Sequence, residues 1–226
     1  MKLIKAGCYF AAVALLSSLN VSAQASETPS YTSFGPLAAT FGGSGIPNGA
    51  VAQTTFGQTG VLGLTATQRY ANPTVTNDGA GRFFAPSGID QTNATSIAGN
   101  YARWNFGYYV DNGGQSGNSY QLFMDVDPTS AENFKSFGSQ SIAGVSQDSW
   151  NLGFDGFESA LSYIFNPTVD GDYTFALQAS NGGQILGRTS IVVQVGRGAE
   201  VPEPGTLALA GLAFAGLAAV RRKKKQ

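Results

Sequence analysis

Three kinds of residue in this sequence could carry chemistry: two tryptophans, a pair of closely spaced carboxylates, and loops rich in oxygen donors or glycine. Trp104 and Trp150 offer indole faces of the size that stacks on a pyranose ring. Asp125 and Asp127, two apart on a strand, would hold their carboxyls about 7 Å apart, within the roughly 6.5–9.5 Å that inverting glycosidases use. The run Asp125-Val126-Asp127-Pro128-Thr129-Ser130 opens like a calcium-binding loop. It has serine where the sharp turn needs glycine and no glutamate at the twelfth position, so it fails that pattern. Residues 111–118 and 170–172 have the oxygens for calcium, although polar, glycine-rich segments ordinarily just turn. The glycine-rich residues 42–49 miss a dinucleotide fingerprint by one position and follow no strong strand, so they read as a loop.

What the chain lacks narrows the chemistry further. Its 226 residues include no histidine and one cysteine. Serine–histidine triads, imidazole-ligated metals and histidine general bases are therefore excluded, and the lone Cys8 has no partner for an internal disulfide. Charged residues make up only 12% and there are 30 glycines, yet aromatics reach 12%, too many for a disordered chain. A folded, loop-rich, all-β body follows. No catalytic residue, metal or cofactor is assigned, and the body is expected to be non-enzymatic.

The two ends read as addresses. Lys2 and Lys5 precede an apolar run over residues 6–19, and Ala23-Gln24-Ala25 follows, the form of a secretory signal cut after Ala25. Residues 1–25 would pass through the Sec translocon and be removed by signal peptidase, taking Cys8 with them. At the other end Val201-Pro202-Glu203-Pro204-Gly205 leads into fifteen residues without a charge, 206–220, and then Arg221, Arg222, Lys223, Lys224 and Lys225. As a helix that stretch covers about 23 Å, and snorkelling cations extend it toward a hydrocarbon core of roughly 30 Å. The basic cluster stops it on the cytoplasmic side and leaves the body outside.

This tripartite tail, residues 199–226, resembles the PEP-CTERM sorting signal of Gram-negative exopolysaccharide producers. Pro202-Glu203-Pro204 matches the motif that names the family, and the helix and basic cluster follow in the family's order. The resemblance implies that exosortase, a membrane-embedded transpeptidase-like enzyme, recognises the signal and removes the tail. This chain would then be the enzyme's substrate, exported across the inner membrane, transiently anchored by its C-terminal helix, and passed to the outer surface or a polysaccharide matrix. Ala102–Phe106 and Asp148–Phe154 also resemble stretches found in the bodies of PEP-CTERM proteins, which supports a family and not an activity.

Without its ends the chain changes character. Between Ser26 and Val201 six cations face thirteen acidic residues, a net charge of −7. The basic residues that could suggest nucleic acid are topogenic, and nucleic acid is not an expected partner.

The body, residues 26–198, reads as one antiparallel β-sandwich, Ig-like or jelly-roll-like. Trp104, Phe106, Tyr108 and Val110 alternate onto one face, as do Tyr120, Leu122, Met124 and Val126 after a turn-rich segment, so residues 103–110 and 120–126 are expected to form a hairpin. Tyr173, Phe175, Leu177 and Ala179 repeat the pattern before Asn181-Gly182-Gly183 and a β-branched final strand ending near Val195. Residues 61–70, 73–76 and 82–85 are shorter strand candidates, with a turn at 77–79, and residues 130–137 look weakly helical. Alternation places both tryptophans in the core.

Pairing Val110 with Tyr120 puts Tyr109 and Phe123 on the opposite face, Phe123 across from Gly107, Arg103 opposite Asp127 and Asn105 opposite Asp125. That face is either covered by the long N-terminal segment or open as a glycan platform using Tyr109 and Phe123. Exopolysaccharide is the partner this second reading names, and a secreted glycoside hydrolase built on Asp125 and Asp127 is the third.

Deleting residues 221–225 is expected to impair orientation or retention of the precursor, measured as processing and surface yield in the producing cell.

Overall fold

The structure, a computed structural model, describes residues 28–38, 41, 46–129, 131 and 133–196. Both terminal segments, with Ala23, Ala25, Val201, Pro202, Glu203, Pro204 and the basic cluster Arg221–Lys225, lie outside the described residues, as do the signal and membrane helices expected there. Among the described residues no helix is long and apolar enough to cross a membrane.

Eleven strands form two sheets. The first holds β1 (Ser33–Gly35), β2 (Val51–Phe56), β3 (Gly60–Gln68), β6 (Trp104–Asp111) and β9 (Val145–Trp150), in the order β1-β2-β3-β6-β9. The second holds β4 (Thr76–Asn77), β5 (Arg82–Ala85), β7 (Asn118–Asp125), β8 (Phe134–Gln140), β10 (Gly171–Asn181) and β11 (Gln184–Val195), in the order β4-β5-β11-β10-β7-β8. Two single-turn helices, α1 (Ala94–Ala98) and α2 (Phe157–Leu161), sit in the connections. This is the expected all-β sandwich. All strand pairs are antiparallel except β5 and β11, which run parallel, Val193 opposite Phe83. About a hundred residues separate those two strands, so the chain has ample length to return in the same direction.

Alternation selects the core. Trp104, Phe106 and Val110 of β6 turn inward with Leu62 and Leu64 of β3, and meet Leu122 and Met124 of β7, Tyr173, Phe175 and Leu177 of β10, and Ile191 and Val193 of β11. Phe106 stacks on Phe175 across the interface, centroids 4.3 Å apart, and Trp104 packs edge-on to Phe175 at 6.1 Å. The expected C-terminal hairpin is present: β10 and β11 pair from Gly171–Val195 to Asn181–Gln184, around a Gly182-Gly183 turn with positive φ at both glycines.

The hairpin expected between residues 103–110 and 120–126 does not form. β6 pairs with β3 and β9, and β7 pairs with β10 and β8 in the other sheet. Their apolar faces still meet, across the sandwich and not side by side, so the same alternation satisfies both arrangements. The connection can cross between sheets because it is pinned at its start. Buried Asn112 donates to the carbonyls of Gln115 and Ile142, and Gly113, at φ 60°, lies so close to Thr59 and Gly60 that a side chain there would collide. Three pairings deduced from the hairpin fall with it. Phe41, not Phe123, covers Gly107. Arg103 donates to the Ile89 carbonyl, and Asn105 donates to Ser149. Residues 134–137, the second half of the segment expected to be weakly helical, open the edge strand β8 (Phe134–Gln140), where half-buried Phe137 packs against Phe106 and Trp150. Tertiary packing overrides the weak local preference.

The two flanks of the sandwich differ. On one, the N-terminal segment crosses between sheets: Ser190 N–H donates to the Ser30 carbonyl at 2.7 Å, and Thr32 N–H donates to Gln53 of β2. Thr54 and Thr189 add side-chain bonds to the Arg188 and Ala52 carbonyls, stitching β2 to β11. On the other flank β8 and β9 end their sheets without pairing, joined by residues 141–144.

The segments Ala102–Phe106 and Asp148–Phe154 meet. Phe106 pairs with Trp150, and where β9 ends, the buried side chain of Asn151 takes over the pairing. Its Oδ1 accepts from Ala102 N–H at 2.8 Å, and its Nδ2 lies 2.9 Å from both the Ala102 and Trp104 carbonyls. An amide side chain can do this because it duplicates the donor and acceptor of a peptide unit. Asn151→Ala leaves these buried backbone groups without partners and is expected to destabilise the fold by about 2–4 kcal/mol, read as a lower urea midpoint with little change in m-value.

Candidate ligand-binding site

The open flank contains a cavity of about 260 Å³ between the edges of the two sheets. β6 and β9 supply one wall, with Tyr108 and Trp150, and α2 and β8 supply the other, with Phe157 and Phe137. These four half-buried rings touch one another: Tyr108 and Trp150 centroids are 4.8 Å apart, Trp150 and Phe157 5.4 Å, and Phe137 and Phe157 5.2 Å. The floor is Val110, Leu122 and Leu177, all buried core residues. Asp155 and Gln140 stand exposed at the rim.

Local bonds hold the aromatic wall in place. The Trp150 indole N–H donates to Asp148 Oδ2 at 2.8 Å, and the Tyr108 hydroxyl lies 3.4 Å from Ser146 Oγ. Asp148, Ser146 and Trp150 share the inward face of β9, which is an edge strand and so keeps Trp150 half-buried. The expectation of a core tryptophan holds for Trp104, which is 1% exposed, and only partly for Trp150. Sequence reasoning noticed Trp150 but not the cavity, since Phe137 and Phe157 lie in segments whose local signal is weak.

Tyr109 and Phe123 are not brought together. They stand on outward faces of opposite sheets. Tyr109 packs edge-on against buried Phe41, centroids 6.2 Å apart, so the N-terminal segment covers that face. Burial pushes its phenol up, with help from the charge of Asp111. The Phe123 ring lies under the Arg188 guanidinium at 5.4 Å.

The carboxylates raised as catalytic or calcium candidates brace loops. Buried Asp125 accepts from the N–H groups of Asp127 and Asn133, closing the β7–β8 turn, and Asp127 accepts from Thr129, whose hydrogen bonds hold the Asp127 carboxyl below its usual range. Asp111 accepts from Gly113, and Asp172 pairs with Arg82 at 3.4 Å. Among the described residues no group of three potential metal ligands converges.

One polar cluster was not legible in the sequence. Arg69, at the end of β3, forms a buried ion pair with Asp90, Nε to Oδ2 3.0 Å, and lies under the rings of Tyr70, Tyr101 and Phe154. Asp90 also accepts from Asn72 and from Thr92 N–H. Burial alone would raise its carboxyl, but hydrogen bonds involving Asn72, Thr92 and Ser96 outweigh it and hold Asp90 well below the ordinary 3.8.

Comparison with known proteins bears on the tail. Residues 200–223 match the PEP-CTERM protein-sorting motif, beginning five positions after the last residue of β11. The chain carries a PEP-CTERM sorting motif, and that motif implies export and membrane-anchored sorting by exosortase. Neither the curated proteins nor the solved structures give a match to the chain.

Because Asp90 is depressed when folded, its stabilising contribution is complete above the unfolded carboxylate value and is lost as pH falls through the folded one. Urea midpoints of the wild type should therefore decline as pH drops below about 4, while Asp90→Asn, already destabilised at neutral pH, should show a shallower decline there.

Proposed function

We propose that the sandwich is a non-enzymatic structural or interaction unit of the cell surface or extracellular matrix, delivered by exosortase and working within exopolysaccharide or biofilm. The sorting motif carries this reading. Its position five residues after the last described strand supports the reading that the sandwich is the unit delivered. The carboxylates support the same reading. A hydrolase needs a pair converging in a cleft with one member's pKa raised, whereas Asp90 and Asp127 are both lowered, and Asp125 and Asp127 are engaged in the turn they build. A glycan platform of Tyr109 and Phe123 acting together is not supported, since the two rings lie on different sheets. Each could act only singly.

Fractionation of the producing cells tests the reading. The wild-type body is expected in the surface or matrix fraction, and a variant with Pro202, Glu203 and Pro204 all replaced by alanine is expected to stay with the membrane. Finding the wild type only in the membrane fraction would sink the proposal. Co-sedimentation of the purified protein with the organism's own exopolysaccharide, with and without calcium, separates the two binding modes. Saturable binding weakened by Tyr109→Ala or Phe123→Ala would make the body a glycan-binding module instead.

A further inference from the structure

The cavity on the open flank has a composition that sorts ligands by polarity and charge. Its floor, Val110, Leu122 and Leu177, presents no hydrogen-bonding side chain. A sugar ring lowered onto it would leave hydroxyls buried without partners, a cost that apolar groups do not meet. Of the polar side chains in the lining, the Tyr108 hydroxyl is engaged with Ser146 and the Tyr120 hydroxyl with Asn118, which leaves Asp155 and Gln140 at the mouth. Asp155 and Gln140 are exposed there, and neither is engaged by a side-chain hydrogen bond among the described residues. No lysine or arginine lines the cavity, so Asp155 sets the sign of the field at the mouth. An anionic head would meet a carboxylate and no compensating cation, while a cationic head would meet a charge of opposite sign and an uncharged head would meet hydrogen-bonding groups.

Size adds a third limit. At about 260 Å³ the cavity lies just under the roughly 300–1,000 Å³ of common small-molecule pockets, room for a short chain or a single ring. The rings of Tyr108 and Trp150 on one wall and of Phe157 and Phe137 on the other make both walls aromatic.

We propose that this cavity is a binding site for a small non-anionic amphiphile, its apolar end seated on Val110, Leu122 and Leu177 and its uncharged or cationic head at Asp155 and Gln140. This site is separate from the sorting function and does not depend on the matrix role.

The chain has two tryptophans, one in the cavity wall and one buried away from the rim, so the two indole N–H signals in an NMR spectrum of the full-length protein serve as reporter and internal control. The probes are hexan-1-ol, hexylammonium and hexanoate, which share a chain and differ in charge. The first two are expected to shift the Trp150 signal saturably and leave Trp104 unmoved, with hexanoate at least about tenfold weaker. Lengthening the chain from butyl to hexyl should tighten binding by about fourfold per methylene.

Ala160 is exposed on α2 at the mouth, so Ala160→Phe should abolish the shift, and Gln140→Tyr narrows the same opening from β8 should that variant not fold. Asp155→Lys should reverse the order of hexylammonium and hexanoate. A shift that survives both mouth-filling variants, or that moves both indoles equally, would overturn the proposal by placing the probes elsewhere, the apolar tail included. A methyl pyranoside that moves the Trp150 signal where hexan-1-ol does not would overturn it in favour of a sugar site.

Discussion

The stacked rings of Phe106 and Phe175, 4.3 Å apart, form the contact through which two sheets become one protein. Each ring comes from a strand paired on both sides, β6 between β3 and β9, and β10 between β11 and β7, so the stack joins the interiors of the two layers and not their margins. Trp104 and Tyr173 extend the contact along the same strands. Had β6 and β7 paired as neighbours, their apolar faces would lie in one sheet and compete for the same covering layer. Placing them in opposite sheets lets each cover the other, which removes more apolar surface from water for the same residues.

From that arrangement comes the difference between the flanks. The N-terminal segment bonds to both sheets, through Ser30 to β11 and through Thr32 to β2, and the threonines between β2 and β11 complete the seam. β8 and β9 instead stand at the edges of different sheets and are not paired with each other. Aromatic side chains from β6, β8, β9 and the short helix α2 line the cavity between these edges. A sandwich sealed along one side and lined by rings along the other has its cavity where an exported protein can present it to solvent.

The buried polar groups serve the same end by fixing irregular segments that strands cannot hold. Asn151 continues the pairing of β9 after its backbone has turned away, Asp125 closes the β7–β8 connection, and the Arg69–Asp90 pair ties the end of β3 to the segment before α1. In each case one side chain satisfies several backbone or side-chain partners, which keeps the cost of burial low. The acidity of the body is therefore in good part structural, since many of its carboxylates accept hydrogen bonds from nearby N–H groups in the loops they shape.

The sequence by itself determined the class of fold, the inward residues of most long strands, the C-terminal hairpin and the sorting tail. Each of these rests on local information: period-two alternation, turn residues at fixed offsets, or a motif read in order. Which strands are neighbours was decided only by the tertiary structure, because alternation states which side of a strand is apolar and not whether the partner lies beside it or across the core. The platform of Tyr109 and Phe123 failed for that reason. The cavity was hidden for a related one, since Tyr108, Leu122, Phe137, Trp150 and Phe157 come from five separate elements, and only the packing of the two sheets brings them to one place.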